Sequence, residues 1–149
     1  MLGELNKHQI DNLLLSLAVG RIGVSDNGRP YIVPVTFVYD GKAIICQSRE
    51  GLKLEILRRN PQVCFEVDSM IDMANWQSVV LWGTFEELKG ESAIKAREYL
   101  FDRVLPLMTY SKVHPAQHEV TAVIDDSTRI KPVMFRIVIN ERTGRFEKR

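Results

Sequence analysis

The sequence predicts a mainly β fold, an antiparallel β-barrel with peripheral helices, built as a single domain over residues 1–149. Three observations predict it. About seven strand-like segments recur along the chain, several of them joined by the turn signals Asn27-Gly28 and Asp40-Gly41. Helical segments interrupt these strands without strict βαβ alternation, which argues against a parallel sheet. The segment Ser78 to Lys89 is long for a strand and carries Gly83 in its interior, where a glycine marks a bulge, a bend or close backbone approach of the kind a closed barrel needs.

The elements follow in order. Asn6 and Gln9, flanked by Leu5 and Ile10, form a capping box with a hydrophobic staple, so a helix begins there. Ile10, Leu13, Leu14 and Leu17 repeat at helical spacing, and Gly20 is the expected stop. Arg21 to Ser25, Tyr31 to Tyr39 and Ala43 to Ser48 then read as an antiparallel meander. Pro30 and Pro34 cannot donate ladder hydrogen bonds, so the middle strand is predicted to be partly unpaired, bulged or at an edge around Val33 to Thr36. A short helix, Leu52 to Arg59, ends at Asn60-Pro61, and Gln62 to Asp68 resumes the strand pattern before a loop rich in Met and Asp. After Ser78 to Lys89, a second long helix spans Glu91 to Leu105 and is expected to end at Pro106. Leu107 to Gln117 reads as a loop. His118 to Ile124 and Pro132 to Asn140 read as the last strands, before a Thr143-Gly144 turn.

Composition narrows the function classes. Twenty Lys and Arg against nineteen Asp and Glu leave a net charge of +1, too little field for a nucleic-acid binder. The two cysteines, Cys46 and Cys64, lie in apolar strand-like runs and read as free thiols of a reducing compartment. No basic region followed by an apolar stretch opens the chain, and no apolar run approaches the length of a membrane span, so a soluble cytoplasmic protein is expected. The chain has no G-x-x-x-x-G-K-[ST] loop, no G-x-G-x-x-G turn and no G-x-S-x-G elbow. His114 and His118 stand four apart with Pro115 between them and no third ligand nearby, so no metal site is predicted. The adjacent pair Asp125 and Asp126 would point to opposite faces of a strand and reads as a solvated turn.

The most informative stretch is Gln47-Ser48-Arg49-Glu50-Gly51-Leu52-Lys53-Leu54. It delivers a hydroxyl, a glycine turn and two cations to the N-terminus of a helix. Unpaired N–H groups and partial positive charge there suit a phosphate monoester, with Ser48, Arg49 and Lys53 as its contacts. A helix merely capped by Ser48 or Glu50, with solvated cations, fits the same residues. Trp76-Gln77-Ser78-Val79 offers a flat apolar wall and polar groups for a planar heterocycle, and a packing role for Trp76 stands beside that reading. Trp82 and Phe85 read as core or interface.

Taken together, these segments resemble the flavin-binding split-barrel family related to pyridoxamine 5'-phosphate oxidase, in the branch that contains the nitroimidazole-resistance proteins. The residues carrying the resemblance are Val19-Gly20-Arg21-Ile22-Gly23, Arg29 through Phe37, Ser48 with Gly51-Leu52-Lys53-Leu54, Asn60 through Asp68, Trp76 with Ser78-Val79 and Gly83, and Arg136-Ile137 with Thr143-Gly144-Arg145. The resemblance implies an antiparallel split barrel and a homodimer holding FMN at the subunit interface. It implies that the backbone of Val33, Pro34, Val35 and Thr36 lines the isoalloxazine, and that Gln47 and Ser48 meet the ring or the ribityl chain. Lys53 would pair with the phosphate, assisted by Ser48 or Arg49, while Trp76 and Ser78 complete the site from one or other subunit. Many members have a histidine where this chain has Gln47, and no role of that histidine transfers. The arginine-rich C-terminal substrate element of genuine pyridoxamine phosphate oxidases is not recognisable, so that activity is not expected. The implied function is an FMN-dependent oxidoreductase of a small molecule, with NADH or NADPH as reductant and a small electron acceptor. A non-catalytic flavin-storing or flavin-sensing protein, a deazaflavin binder and a haem handler are the alternatives on the same barrel.

Overall fold

The computed structural model describes residues 1–110 and 132–149. Seven strands are described: β1 (Leu2–Glu4), β2 (Val19–Asp26), β3 (Arg29–Tyr39), β4 (Ala43–Ser48), β5 (Gln62–Asp72), β6 (Asn75–Leu88) and β7 (Val133–Glu147). Three helices accompany them: α1 (Lys7–Ser16), α2 (Leu52–Arg59) and α3 (Glu91–Tyr110). The strand order is β1-β7-β4-β3-β2-β5-β6, and β6 pairs again with β7. That last pairing turns the antiparallel sheet back on itself into a barrel.

Closure is incomplete at one seam. β3 pairs with β4 only over Phe37 to Tyr39. Its earlier residues, Arg29 to Thr36, pair with β2 alone, while Gln47 and Ser48 of β4 pair with Met134 and Val133 of β7. Beyond Phe37 and Cys46, the facing edges of β3 and β4 therefore part. Pro30 and Pro34, which lack N–H donors, lie on the unzipped half. The barrel is split where the prolines predicted it.

Side-chain alternation separates an inner core from a second one outside the wall. Ile22, Phe37, Ile44, Phe65, Leu81, Phe135 and Ile137 fill the barrel, and the rings of Phe37 and Phe65 meet edge to face at 4.9 Å between centroids. Val38, Ile45 and Met134 face outward beneath α3 and bury Ala96, Leu100 and Val104. Helix α1 plugs one end with Ile10, Leu13 and Leu14, and α2 contributes Leu54, Ile56 and Leu57. Both halves of the predicted capping box form: Gln9 N donates to Asn6 Oδ1 at 2.9 Å and Asn6 N donates to Gln9 Oε1 at 2.8 Å.

Several boundaries differ from expectation. α1 stops at Ser16 with Leu17 as its extended C-cap, and Gly20 lies inside β2, where a Cβ would collide with the Phe65 ring. Gly20 is thus set by packing across the barrel, not by helix termination. The Met- and Asp-rich segment is the tip of one long β5–β6 hairpin rather than a loop. Thr143 and Gly144 continue β7 because Leu5 N donates to Gly144 O at 2.9 Å and Leu5 and Ile10 pack where a side chain would stand. α3 runs through Pro106 to Tyr110, although a proline removes one intrahelical donor. The seating of Ala96, Leu100 and Val104 on the sheet holds that helix together. The bend expected at Gly83 is present: the β6–β7 register shifts between Trp82 and Gly83, and a Cβ on Gly83 would strike the Val138 carbonyl. The expected strand His118 to Ile124, together with His114, Asp125 and Asp126, lies outside the described residues.

Candidate functional site

The split between β3 and β4 opens beside the N-terminus of α2, because Ser48 ends β4 and Leu52 begins the helix three residues after Arg49. Gly51 takes the N-cap position with an extended backbone and contributes no side-chain cap. The Ser48 hydroxyl donates to the Arg49 carbonyl at 3.1 Å, and Glu50 is bound to Arg58, so neither caps the helix. Among the described residues no side chain caps the first N–H groups of α2, so the reading in which Ser48 or Glu50 caps this helix does not hold.

Lys53, at the second position of α2, is half-buried. It makes no hydrogen bond or ion pair with the described residues, and burial pulls its ammonium below the ordinary lysine range. A half-buried cation beside helix N-terminal N–H groups, with no acidic partner among the described residues, offers an anion both charge and hydrogen-bond donors. Arg49 is exposed in the loop just before it, also without an ion pair among the described residues. Behind them Cys46 is fully buried, and burial pushes its thiol far up, so it is an uncharged filler rather than a nucleophile.

The floor of the split is mixed. On β3, Val33 and Val35 turn into the barrel, whereas Pro34 is exposed and Thr36 half-buried on the outer face. Their backbone edge toward β4 is the unpaired one. Gln47 is half-buried, and its Oε1 is enclosed without a hydrogen-bond partner among the described residues. Leaving an amide oxygen so placed costs free energy, about 1–3 kcal/mol, unless a donor arrives. The helix end without a side-chain cap, the unpaired strand edge and the orphan amide all belong to the seam where β3 and β4 part. They fit a phosphorylated ligand with a hydrogen-bonding planar head, and so fit the flavin phosphate that the resemblance implies.

Trp76 and Ser78 do not join this group within one chain. Ser48 pairs with Val133 at the start of β7, and Trp76 pairs with Glu147 at its end. Across the other side of the barrel, β2 and β5 stand between β3 and β6, a separation of about 14 Å. Trp76 Nε1 donates to Glu147 Oε1 at 3.3 Å, and Ser78 Oγ donates to Glu66 Oε2 at 3.1 Å. Ser78 thereby belongs to a polar cluster in which Arg21 meets Asp68 at 3.3 Å and Glu66 at 3.5 Å. Burial, with the neighbouring Asp68 carboxyl adding to it, raises the pKa of Glu66.

The face carrying that cluster also exposes large hydrophobic side chains. Register aligns Ile32, Gly23, Cys64 and Trp82 in one row and Pro34, Arg21, Glu66 and Val80 in the next. Ile32 is 67% exposed, Val19 56% and Trp82 42%, a concentration of bare hydrophobic surface on the outside of a small barrel. Phe85 is core and Trp82 is not. No group of three or more His, Cys, Asp or Glu side chains able to hold a metal occurs among the described residues. No helix among them is long and apolar enough to cross a membrane.

The family model described as pyridoxamine 5'-phosphate oxidase matches residues 6–146. The chain belongs to this family. Among solved structures, an FAD-binding protein from Mesorhizobium loti superposes with a TM-score of 0.78 at 25% identity, covering 100% of this chain and 98% of that one. A 5-nitroimidazole antibiotic resistance protein from Bacteroides thetaiotaomicron shares the fold, with a TM-score of 0.67 at 20% identity over 98% of this chain and 87% of its own. An uncharacterised protein from Rhizobium meliloti is 27% identical over 84 residues, which is 56% of each chain. The match spans little more than half of that relative.

The residues that sequence reasoning missed in this family member are Arg58, which holds Glu50, with Glu87, which holds Arg58, and the Arg21, Glu66 and Asp68 set beside Ser78. Neither set has a local signature. Arg58 and Glu87 come together only because α2 lies against β6, and the second set only because β2 and β5 are neighbours.

Proposed function

We propose that this protein binds a flavin as a homodimer, FMN in the split between β3 and β4, and uses it as an oxidoreductase of a small molecule. The observation that carries this reading is the N-terminus of α2 without a side-chain cap, beside half-buried Lys53 that has no acidic partner among the described residues. The family supports it, and so does the FAD-binding description of the Mesorhizobium protein.

In this reading the phosphate rests on the α2 N–H groups and Lys53, with Arg49 or Ser48 closing over it. The free edge of β3 from Val33 to Thr36 supplies peptide groups to the ring, and Gln47 Oε1 accepts a hydrogen bond from a ring N–H or a ribityl hydroxyl. The apolar face around Ile32 and Trp82 meets the same face of a second copy. That association brings Trp76 and Ser78 of one subunit to the cleft of the other, the step a single chain cannot perform. When bound, the flavin supplies hydride and electron transfer. The described protein groups orient it, exclude water and fix its electrostatic surroundings. No described side chain of the cleft stands ready as a general acid or base, which also favours a second reading, a flavin carrier or sensor without turnover.

The test is the absorption spectrum of the freshly purified protein, mass spectrometry of whatever denaturation releases, and light scattering for the mass in solution. Flavin bands with released FMN and twice the chain mass are expected. FAD in place of FMN would change the cofactor and keep the site. A colourless monomer that binds no added flavin would overturn the proposal. Reduction of the bound flavin by NADH or NADPH, with acceptor-dependent consumption, separates the oxidoreductase from the carrier.

A further inference from the structure

The loop entering α2 carries a negative charge at a place where an anionic ligand would be repelled. Glu50 stands immediately before the N-cap Gly51. A carboxylate so close to an uncapped helix N-terminus is drawn by the helix dipole toward the same N–H groups that a phosphate would use. Glu50 is instead turned along the helix toward its other end. Arg58 Nη1 and Nη2 donate to its two carboxylate oxygens at 2.7 Å each, and Arg58 Nε donates to Glu87 Oε1 at 2.8 Å.

The anchoring points decide what this arrangement does. Arg58 lies in the last turn of α2, roughly 9 Å of helix rise from Leu52, and Glu87 belongs to β6 of the barrel wall. A guanidinium that forks one carboxylate and holds a second fixes a geometry that a single exposed ion pair would not. The Arg58 guanidinium also holds the Glu50 carboxyl below its ordinary range, so the side chain stays charged and stays bound. Ser48 and Glu50 are thus both kept from capping α2, one by its own turn and the other by Arg58.

We propose that Arg58 is a positioning residue for the phosphate seat: it keeps Glu50 off the N-terminus of α2 and so makes the cleft select a phosphorylated flavin over an unphosphorylated one. This rests on the flavin reading above. Glu55, the other acid of the first turn, is left in place in every variant tested, so its effect cancels between them.

The test compares FMN with riboflavin, which lacks the phosphate, by quenching of flavin fluorescence in the full chain. In Arg58→Ala, FMN affinity is expected to fall about five- to tenfold, the size of one solvent-screened like-charge contact, while riboflavin affinity is unchanged. The double variant E50Q/R58A is expected to recover FMN affinity to within about twofold, because the intruding charge is gone. The deficit of Arg58→Ala should shrink as salt is raised. Should Arg58→Ala fail to fold, Arg58→Lys tests the same point, since an ammonium cannot fork Glu50 and hold Glu87 together. Equal losses for FMN and riboflavin, or no recovery in the double variant, would make Arg58 a scaffold residue only and overturn the proposal. A wild-type protein that binds neither flavin would instead remove the flavin reading, and this inference with it.

Discussion

Replacing Lys53 by methionine separates the ligand's demands from those of the fold. The Lys53 ammonium is half-buried and unpaired among the described residues, and burial lowers its pKa. A lysine whose folded pKa lies below its unfolded value binds its proton more weakly in the folded state. Its charge therefore costs stability below the folded pKa, and that cost is relieved as pH rises toward the unfolded value. Methionine keeps the stem and removes the charge. After allowing for solvent screening at a site this open, the apo protein should gain about 0.5–1 kcal/mol, or about 1–4 °C in thermal midpoint at neutral pH. Flavin binding should move the other way. A charge-assisted contact of about 1.5–3 kcal/mol is lost, so FMN affinity should fall about 10- to 100-fold, with riboflavin affinity nearly constant. Differential scanning calorimetry of the apo protein and fluorescence titration with both ligands give the two numbers. A Lys53→Met protein that binds FMN as tightly as wild type would refute the seat. One that melts earlier in the apo state would refute the idea that the fold tolerates this lysine for a ligand's sake.

Three further outcomes are expected. Trp82→Glu places a charge on the bare sheet face and should yield a protein of one chain mass by light scattering that retains its fold but loses flavin; an unchanged dimer would move the interface elsewhere. Gly83→Ala forces a methyl against the Val138 carbonyl at the β6–β7 bulge and should cost about 1–3 kcal/mol, read as a fall in thermal midpoint of several degrees; an unaltered midpoint would mean that the wall yields there. Glu66 has its pKa raised by burial and by Asp68, so it is most favourable below its unfolded pKa and costs stability once pH rises through its folded pKa. Glu66→Gln, which keeps an acceptor for Ser78, should therefore raise the thermal midpoint slightly at pH 7 and lose that advantage near pH 4; a lower midpoint at pH 7 would show the Arg21 contact to outweigh burial.

The sequence by itself determined the local features of this protein. The capping box at Asn6 and Gln9, the hairpin at Asn27-Gly28, the short helix at Leu52–Arg59 and the strand freed by Pro30 and Pro34 depend on groups a few residues apart, so their chemistry was readable in order. The strand runs later found as β2, β3, β5 and β6 were visible as apolar, turn-bounded segments. Only the tertiary structure decided which neighbours those residues meet. Gly20 is required by the Phe65 ring and Gly144 by α1, and each is a contact across the barrel that no spacing announces. Pro106 fails to end α3 because burial on the sheet outweighs one missing donor. Trp76 and Ser78, which the resemblance implies complete the site from one or other subunit, stand apart from Lys53 in a single chain because β2 and β5 intervene. Glu50 is drawn from the helix N-terminus by a guanidinium eight residues on, which a carboxylate on β6 holds in place. Local hydrogen bonding and periodicity are short-range and survive in the order of residues, whereas close packing and charge pairing are set by distances that exist only once the barrel has closed.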